Sequence, residues 1–196
     1  MRVRDTDKVK LVKQKAIELI VAGGLEGFSM NKLAKTCNIS VATLYIYYKD
    51  RDDLILKIAE EEGKLMGAAM IKDFNPDMSF EQGLRKQWEN RYSYSIANPI
   101  LSLFFDQLRS SSYQEEFLAS FLKEFKVDVT KFMNNIIERG EIDNMPFEVY
   151  WSVAFAPLYN LIRFHIEGKS KGGRPFKITD EILWKTFELV VKALKK

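Results

Sequence analysis

The sequence predicts an all-α chain, with a compact N-terminal three-helix segment followed by a larger helical body and about nine helices in total. Two observations carry this. Apolar residues recur three and four positions apart through most of the chain, with no sustained period-two alternation between turn residues. Helix starts are marked by Ser, Thr, Asp or Asn, and the breaks by Gly or Pro. The chain has 196 residues, 46% of them hydrophobic, enough to bury a sizeable core.

The first helix places Val9, Val12, Ala16, Leu19 and Ile20 on one face and ends at Gly23-Gly24. Ser29 is a natural N-cap for a short helix through Thr36, with Leu33, Ala34 and Cys37 inward. Ser40 caps another, through about Tyr47. With only Asn38 and Ile39 between them, these two helices must cross sharply. Asp50 caps a long helix whose first turn holds Asp52 and Asp53, favoured there by the helix dipole. Its apolar residues include Leu54, Ile55, Ile58, Leu65, Met66 and Ala69, and it runs out before Asn75-Pro76.

In the body, Ser79 and Gln82 have capping-box spacing and open a helix to about Ala97. Asn98-Pro99 starts another, which ends near Ser110. Phe117, Phe121, Phe125, Phe132 and Ile136 mark a long amphipathic helix from Tyr113 to Arg139, stopped by Gly140. Pro146 precedes an apolar helix to about Glu167 that contains Pro157, which should kink it or widen a local gap. After a Gly- and Pro-containing loop, Thr179 caps a last helix to the C-terminus.

Charge is divided along the chain: residues 1–51 carry ten Lys/Arg against five Asp/Glu, whereas the whole chain carries 30 against 27. A basic N-terminal segment on a near-neutral body suits a polyanionic partner at one end. One cysteine, Cys37, excludes an intramolecular disulfide. With His165 as the one histidine, a single chain has no Cys/His zinc site. No secretory leader or membrane span is evident, and a cytoplasmic location is expected.

Two short capped helices joined by a tight turn form the geometry that places a second helix in the DNA major groove. Gly27-Phe28-Ser29, Leu33-Ala34 and the run Val41-Ala42-Thr43-Leu44-Tyr45-Ile46-Tyr47-Tyr48-Lys49-Asp50-Arg51-Asp52-Asp53-Leu54 resemble the N-terminal signature of the TetR repressor family. The resemblance covers about residues 8–70. Beyond it the body matches only in helix count and in Arg139-Gly140-Glu141-Ile142. Asn38 departs from a glycine frequent in the family, and Tyr48 from a phenylalanine; a core ring with its hydroxyl at the surface is expected for Tyr48.

The resemblance implies a DNA-binding domain over residues 1–50, a connector helix over about 51–72, and a ligand-binding and dimerisation domain over 73–196. DNA-binding candidates are Ser29, Met30, Asn31, Lys32, Val41, Thr43, Tyr45, Tyr47, Lys49 and Arg51. Lysine and arginine at helix ends suit phosphates, whereas Asn31 suits adenine and Thr43 a thymine methyl. Each has a plainer reading: core packing for Met30 and the tyrosines, a solvated face for the cations. The tail residues Arg2, Arg4, Lys8 and Lys10 either reach DNA or keep the terminus soluble.

Ligand-binding candidates are Trp88, Tyr92, Phe105, Phe125, Trp151, Phe155, Tyr159 and Arg163, against the alternative that the aromatics are ordinary core. His165 is expected to be a surface or satisfied histidine. The resemblance assigns homodimerisation to the last two major helices, with Ile182, Leu183, Val190, Val191 and Leu194 as surplus apolar surface.

The implied function is a ligand-responsive regulator, a repressor binding a palindromic operator as a dimer and released by a small hydrophobic or aromatic effector. The long helix after Arg51 would be the sole covalent lever from effector to DNA. The alternative is a DNA-binding regulator switched by a protein partner. An enzyme is not expected, since no catalytic constellation or phosphate loop is present. No cofactor, metal or membrane partner is expected.

Overall fold

The computed structural model describes residues 2–196, except the side chains of residues 2–6, 120, 121, 123 and 124. Arg2, Arg4 and Phe121 therefore lie outside the described side chains. The described residues form ten helices and no strand: α1 (Arg2–Gly27), α2 (Met30–Thr36), α3 (Val41–Tyr47), α4 (Arg51–Met70), α5 (Phe80–Ala97), α6 (Pro99–Arg109), α7 (Gln114–Glu138), α8 (Phe147–Ala154), α9 (Ala156–Glu167) and α10 (Asp180–Leu194). They make two compact units, Met1–Leu65 with Asn98–Leu122, and Met66–Ala97 with Lys123–Lys196. The inclusion of Asn98–Leu122 in the first unit was not visible in chain order. It follows that the chain passes between units three times, so the α4 connection is not the sole covalent link.

In the first unit, α1 buries Val12, Ala16, Ile17 and Ile20 at helical spacing. Its run is broken at Gly24, where φ is 75° and ψ 167°, a conformation in which glycine avoids the Cβ penalty. A last turn through Gly27 follows. Helix α6 packs on α1 and buries Phe104, Phe105 and Leu108. The start of α4 is held by Asp50, whose carboxylate accepts the Asp53 N–H at 2.8 Å. Of the apolar residues on α4, Leu65 is 56% exposed, one helical turn after Glu61 and beside Lys64 on the polar face.

In the second unit, α5, α8, α9 and α10 surround one core containing Phe80, Leu84, Trp88, Phe132, Tyr150, Phe155, Leu158 and Phe187. The helix expected over 146–167 is two helices, broken at Phe155 (φ −124°, ψ −27°). Pro157 has no N–H for the ladder and its ring crowds the preceding turn, so it sits in the first turn of α9, where neither defect matters. His165 is satisfied: its Nδ1 accepts the Ile178 N–H at 3.1 Å.

Glu141 connects three segments of this unit. Its carboxylate accepts the Phe80 N–H at the start of α5 at 2.6 Å and the Arg139 Nε at 2.6 Å, while Arg139 Nη2 donates to the Met78 carbonyl at 2.6 Å. Partial burial pushes the Glu141 carboxyl up, but the Phe80 N–H and the cations Arg139 and Lys195 outweigh it and hold the group below its ordinary range. A depressed folded-state value stabilises the fold above the unfolded value, and that contribution is lost as pH falls through the folded one. Glu141→Gln is therefore expected to cost about 1–2 kcal/mol near neutrality. In urea titrations the gap from wild type should narrow below about pH 4; a gap constant down to acid would exclude a role for the charge.

Candidate nucleic-acid interface

Helices α2 and α3 are set by their caps. Ser29 Oγ accepts the Lys32 N–H at 3.3 Å, and Ser40 Oγ accepts the Thr43 N–H at 3.2 Å. Between them Asn38 adopts φ 53°, the left-handed conformation that asparagine tolerates, and the Ile39 N–H returns to the Ala34 carbonyl at 3.0 Å. Leu33 and Leu44 are fully buried, which locks the crossing of the two helices. Cys37 is buried, and burial pushes its thiol up.

With Leu44 inward, α3 turns Ala42, Tyr45 and Ile46 outward, and Lys49 follows just beyond its end. Tyr45 is 51% exposed and Ile46 75%. Ile46 is not among the residues expected at DNA from the sequence, although its position two residues, or about 200° of helix, from Leu44 puts it on the outer face. Val41, Thr43 and Tyr47 are half-buried, and the Thr43 hydroxyl is 2.8 Å from that of Ser40.

Three other candidates are placed differently from expectation. Met30 is 6% exposed and belongs to the core, since the first turn of α2 packs inward. Lys32 Nζ donates to the Gly27 carbonyl at 2.8 Å, although Lys32 and its neighbour Asn31 remain exposed. Arg51 is turned into the unit, where Nη2 donates to the Leu25 carbonyl at 2.6 Å and Nη1 to the Tyr113 hydroxyl at 2.8 Å. Its donors satisfy carbonyls at the frayed end of α1, which a helix terminus otherwise leaves unpaired. Tyr113 in turn donates to Asp52 at 2.5 Å; burial, with that carboxylate, pushes the phenol up to about 12. Tyr48 is buried, as a core ring should be, with the Lys57 ammonium 5.6 Å from its centroid.

In the second unit, Trp88 and Phe155 are fully buried, Phe125 is buried, and Tyr92, Trp151 and Tyr159 pack partly buried against the core. Trp151 lies 4.8 Å from Phe155 and 6.2 Å from Tyr159 by ring centroids. Arg163 is exposed and paired with Glu167 at 2.8 Å. Phe105 belongs to the first unit, stacked on Phe117 at 5.0 Å. A groove of about 270 Å³ lies between α5 and α10, lined by Glu81, Arg85, Trp184, Phe187, Glu188, Val191 and Lys192, none of them a ligand-binding candidate from the sequence. Of the apolar residues read as a partner face, Leu183, Val190, Val191 and Leu194 are buried in the chain's own core. Phe147, Val149 and Leu189 are the exposed ones in this region.

A family of bacterial regulatory proteins, the tetR family, matches residues 14–58, the segment that contains α2, the turn and α3. Over that segment the chain is similar to the TetR family. An uncharacterized helix-turn-helix-type transcriptional regulator of Haemophilus influenzae is 31% identical over 101 residues, 52% of this chain and 54% of that protein. The chain thus matches about half the length of that curated relative. A TetR family transcription regulator from Marinobacter aquaeolei shares the fold over 100% of both chains, with a TM-score of 0.83 at 24% identity. The transcriptional regulator FadR from Bacillus subtilis, solved in complex with stearoyl-CoA, aligns over 93% of this chain and 97% of its own, with a TM-score of 0.70 at 18% identity. Among the described residues, no helix is long and apolar enough to cross a membrane.

Proposed function

We propose that this chain is a DNA-binding transcriptional regulator of the TetR type, a cytoplasmic repressor that holds a palindromic operator as a homodimer and leaves it when a small, largely apolar effector binds. The observation that supports it most is α3: a capped helix that hides Leu44 and presents Tyr45 and Ile46, with Lys49 at its end. Exposed apolar and aromatic side chains beside a cation suit base edges and thymine methyls next to a phosphate. In this reading residues 1–50 are the DNA-binding domain, about 51–72 the connector, and 73–196 the effector and dimerisation domain. Exposed Phe147 and Val149 on α8 and Leu189 on α10 then belong to the dimer contact. An effector in the second unit is a role that the stearoyl-CoA complex of FadR makes reasonable by analogy of fold. The reading is of a binding protein and not an enzyme.

Ligand-free protein offered random duplex DNA is expected to enrich an inverted repeat whose half-sites are about one helical turn apart. Lys49→Ala should weaken binding alike on all sequences and lower the salt slope by about 0.9 for each phosphate that the lysine neutralises. Ile46→Ala and Tyr45→Ala should instead relax base preference, by about 1–3 kcal/mol at the positions they touch. Failure to enrich any repeat, with or without effector, would refute the reading.

A further inference from the structure

Arg91, in the middle of α5, is 1% exposed. Its Nη1 donates to the Gln87 carbonyl at 3.3 Å, one turn back on the same helix. The guanidinium carbon lies 4.3 Å from the Phe155 ring centroid and 5.8 Å from that of Trp151. Among the described residues it forms no ion pair, and Glu89, the acidic residue nearest to it in sequence, is engaged by Arg85 at 3.3 Å and Lys86 at 3.2 Å. Three buried polar atoms here have no hydrogen-bond partner: Arg91 Nε, Gln87 Oε1 and the Tyr150 hydroxyl. Gln87 and Tyr150 are themselves 2% and 1% exposed.

An arginine cannot shed its charge, and an uncompensated buried cation costs several kcal/mol. The two rings return about 0.5–2 kcal/mol by cation–π attraction, which does not cover that cost. A methionine of similar length would fill the same space without penalty. The cost is explicable if the partner arrives from outside, and burial within one chain argues against a second copy supplying it. The flat guanidinium fork suits both carboxylate and phosphate, but one cation balances the single charge of a carboxylate and would leave a phosphate dianion half uncompensated. The rings packed beside the guanidinium are Phe155 and Trp151, with Tyr159 stacked on Trp151.

We propose that the effector is a monocarboxylic acid with an apolar body, its carboxylate paired with Arg91 and hydrogen-bonded by the Tyr150 hydroxyl, and its body packed against Phe155 and Trp151. This rests on the effector reading above. Arg91 is thus a specificity-determining residue for charge, while the aromatic rings bind the body of either an acid or its neutral analogue.

The test uses full-length protein and two matched pairs of probes, dodecanoate with dodecanamide and 2-naphthoate with 2-naphthamide, followed by thermal unfolding. At least one acid should raise the wild-type midpoint by about 2–4 °C or more, with its amide at least tenfold weaker. Arg91→Met should abolish the preference for the acid and, without any probe, raise the midpoint, because it removes an unpaired buried charge. Arg91→Lys should keep the preference at reduced affinity. The proposal is overturned if ligand-free Arg91→Met is less stable than wild type, or if acid and amide act alike on wild type; in the latter case the effector reading survives. If no probe of either kind shifts the wild type, the proposal and the effector reading both fail.

Discussion

Trp88→Ala is expected to cost about 3–5 kcal/mol, a large share of the stability of a domain this size. Trp88 is fully buried, and three features of its setting add to the cost. Its indole Nε1 donates to the Ala154 carbonyl at 2.8 Å, immediately before the break at Phe155. Its ring meets Phe187 of α10 edge to face at 5.4 Å. It therefore joins α5 to both α8 and α10, and alanine would leave a cavity that neither helix can close alone. Trp88→Phe keeps most of the volume and loses the hydrogen bond, for about 1 kcal/mol beyond the volume change. Urea unfolding followed by helical circular dichroism separates the two variants; equal costs would mean that packing at Trp88 is not what joins these helices.

Gly83→Ala should destabilise by about 1–3 kcal/mol even though alanine is the better helix former. A Cβ at Gly83 would overlap Cε2 of Phe132 and stand 2.5 Å from its Cζ. Phe132 cannot retreat easily, being fully buried with Phe74 against its edge at 5.2 Å. Because the cause is a single ring, Phe132→Leu should recover part of the loss. The double-mutant cycle is expected to give a favourable coupling of about 0.5–3 kcal/mol. Additive penalties would show that the clash is relieved by backbone movement and not by the ring.

Much of the fold was legible because it is written in local chemistry. Ser29, Ser40, Asp50, Ser79 and Thr179 each begin a helix where their side chains promised, since a cap is decided by residues three or four apart. The turn at Asn38 and the stop at Gly140, with φ 53° and 68°, were readable for the same reason. Pro157 announced a disturbance but not its form, because whether a proline kinks a helix or restarts one depends on what the neighbouring turns pack against.

The surface of the candidate site was legible in part. Helical phase placed Tyr45 outward and would have placed Ile46 there, whereas Met30 came from the resemblance, with core packing as its plainer reading, and Arg51 from its charge at a helix end. Met30 is taken up by the core, and the donors of Arg51 by the Leu25 carbonyl and Tyr113, 62 residues away. Nothing in the sequence around Arg91 distinguishes it from Arg85 six residues earlier. One is exposed to solvent near Glu89, and the other is sealed against Phe155.

The sequence by itself determined the helices, the crossing of α2 and α3, and the outward face of α3, because each depends on backbone preferences and side chains within one or two turns. Tertiary structure alone decided which apolar face of α10 is spent on the chain's own core, where Asn98–Leu122 belongs, and that an arginine is buried with no carboxylate against it among the described residues. Those outcomes depend on which distant segments exclude water from a side chain, and periodicity along one helix carries no record of them.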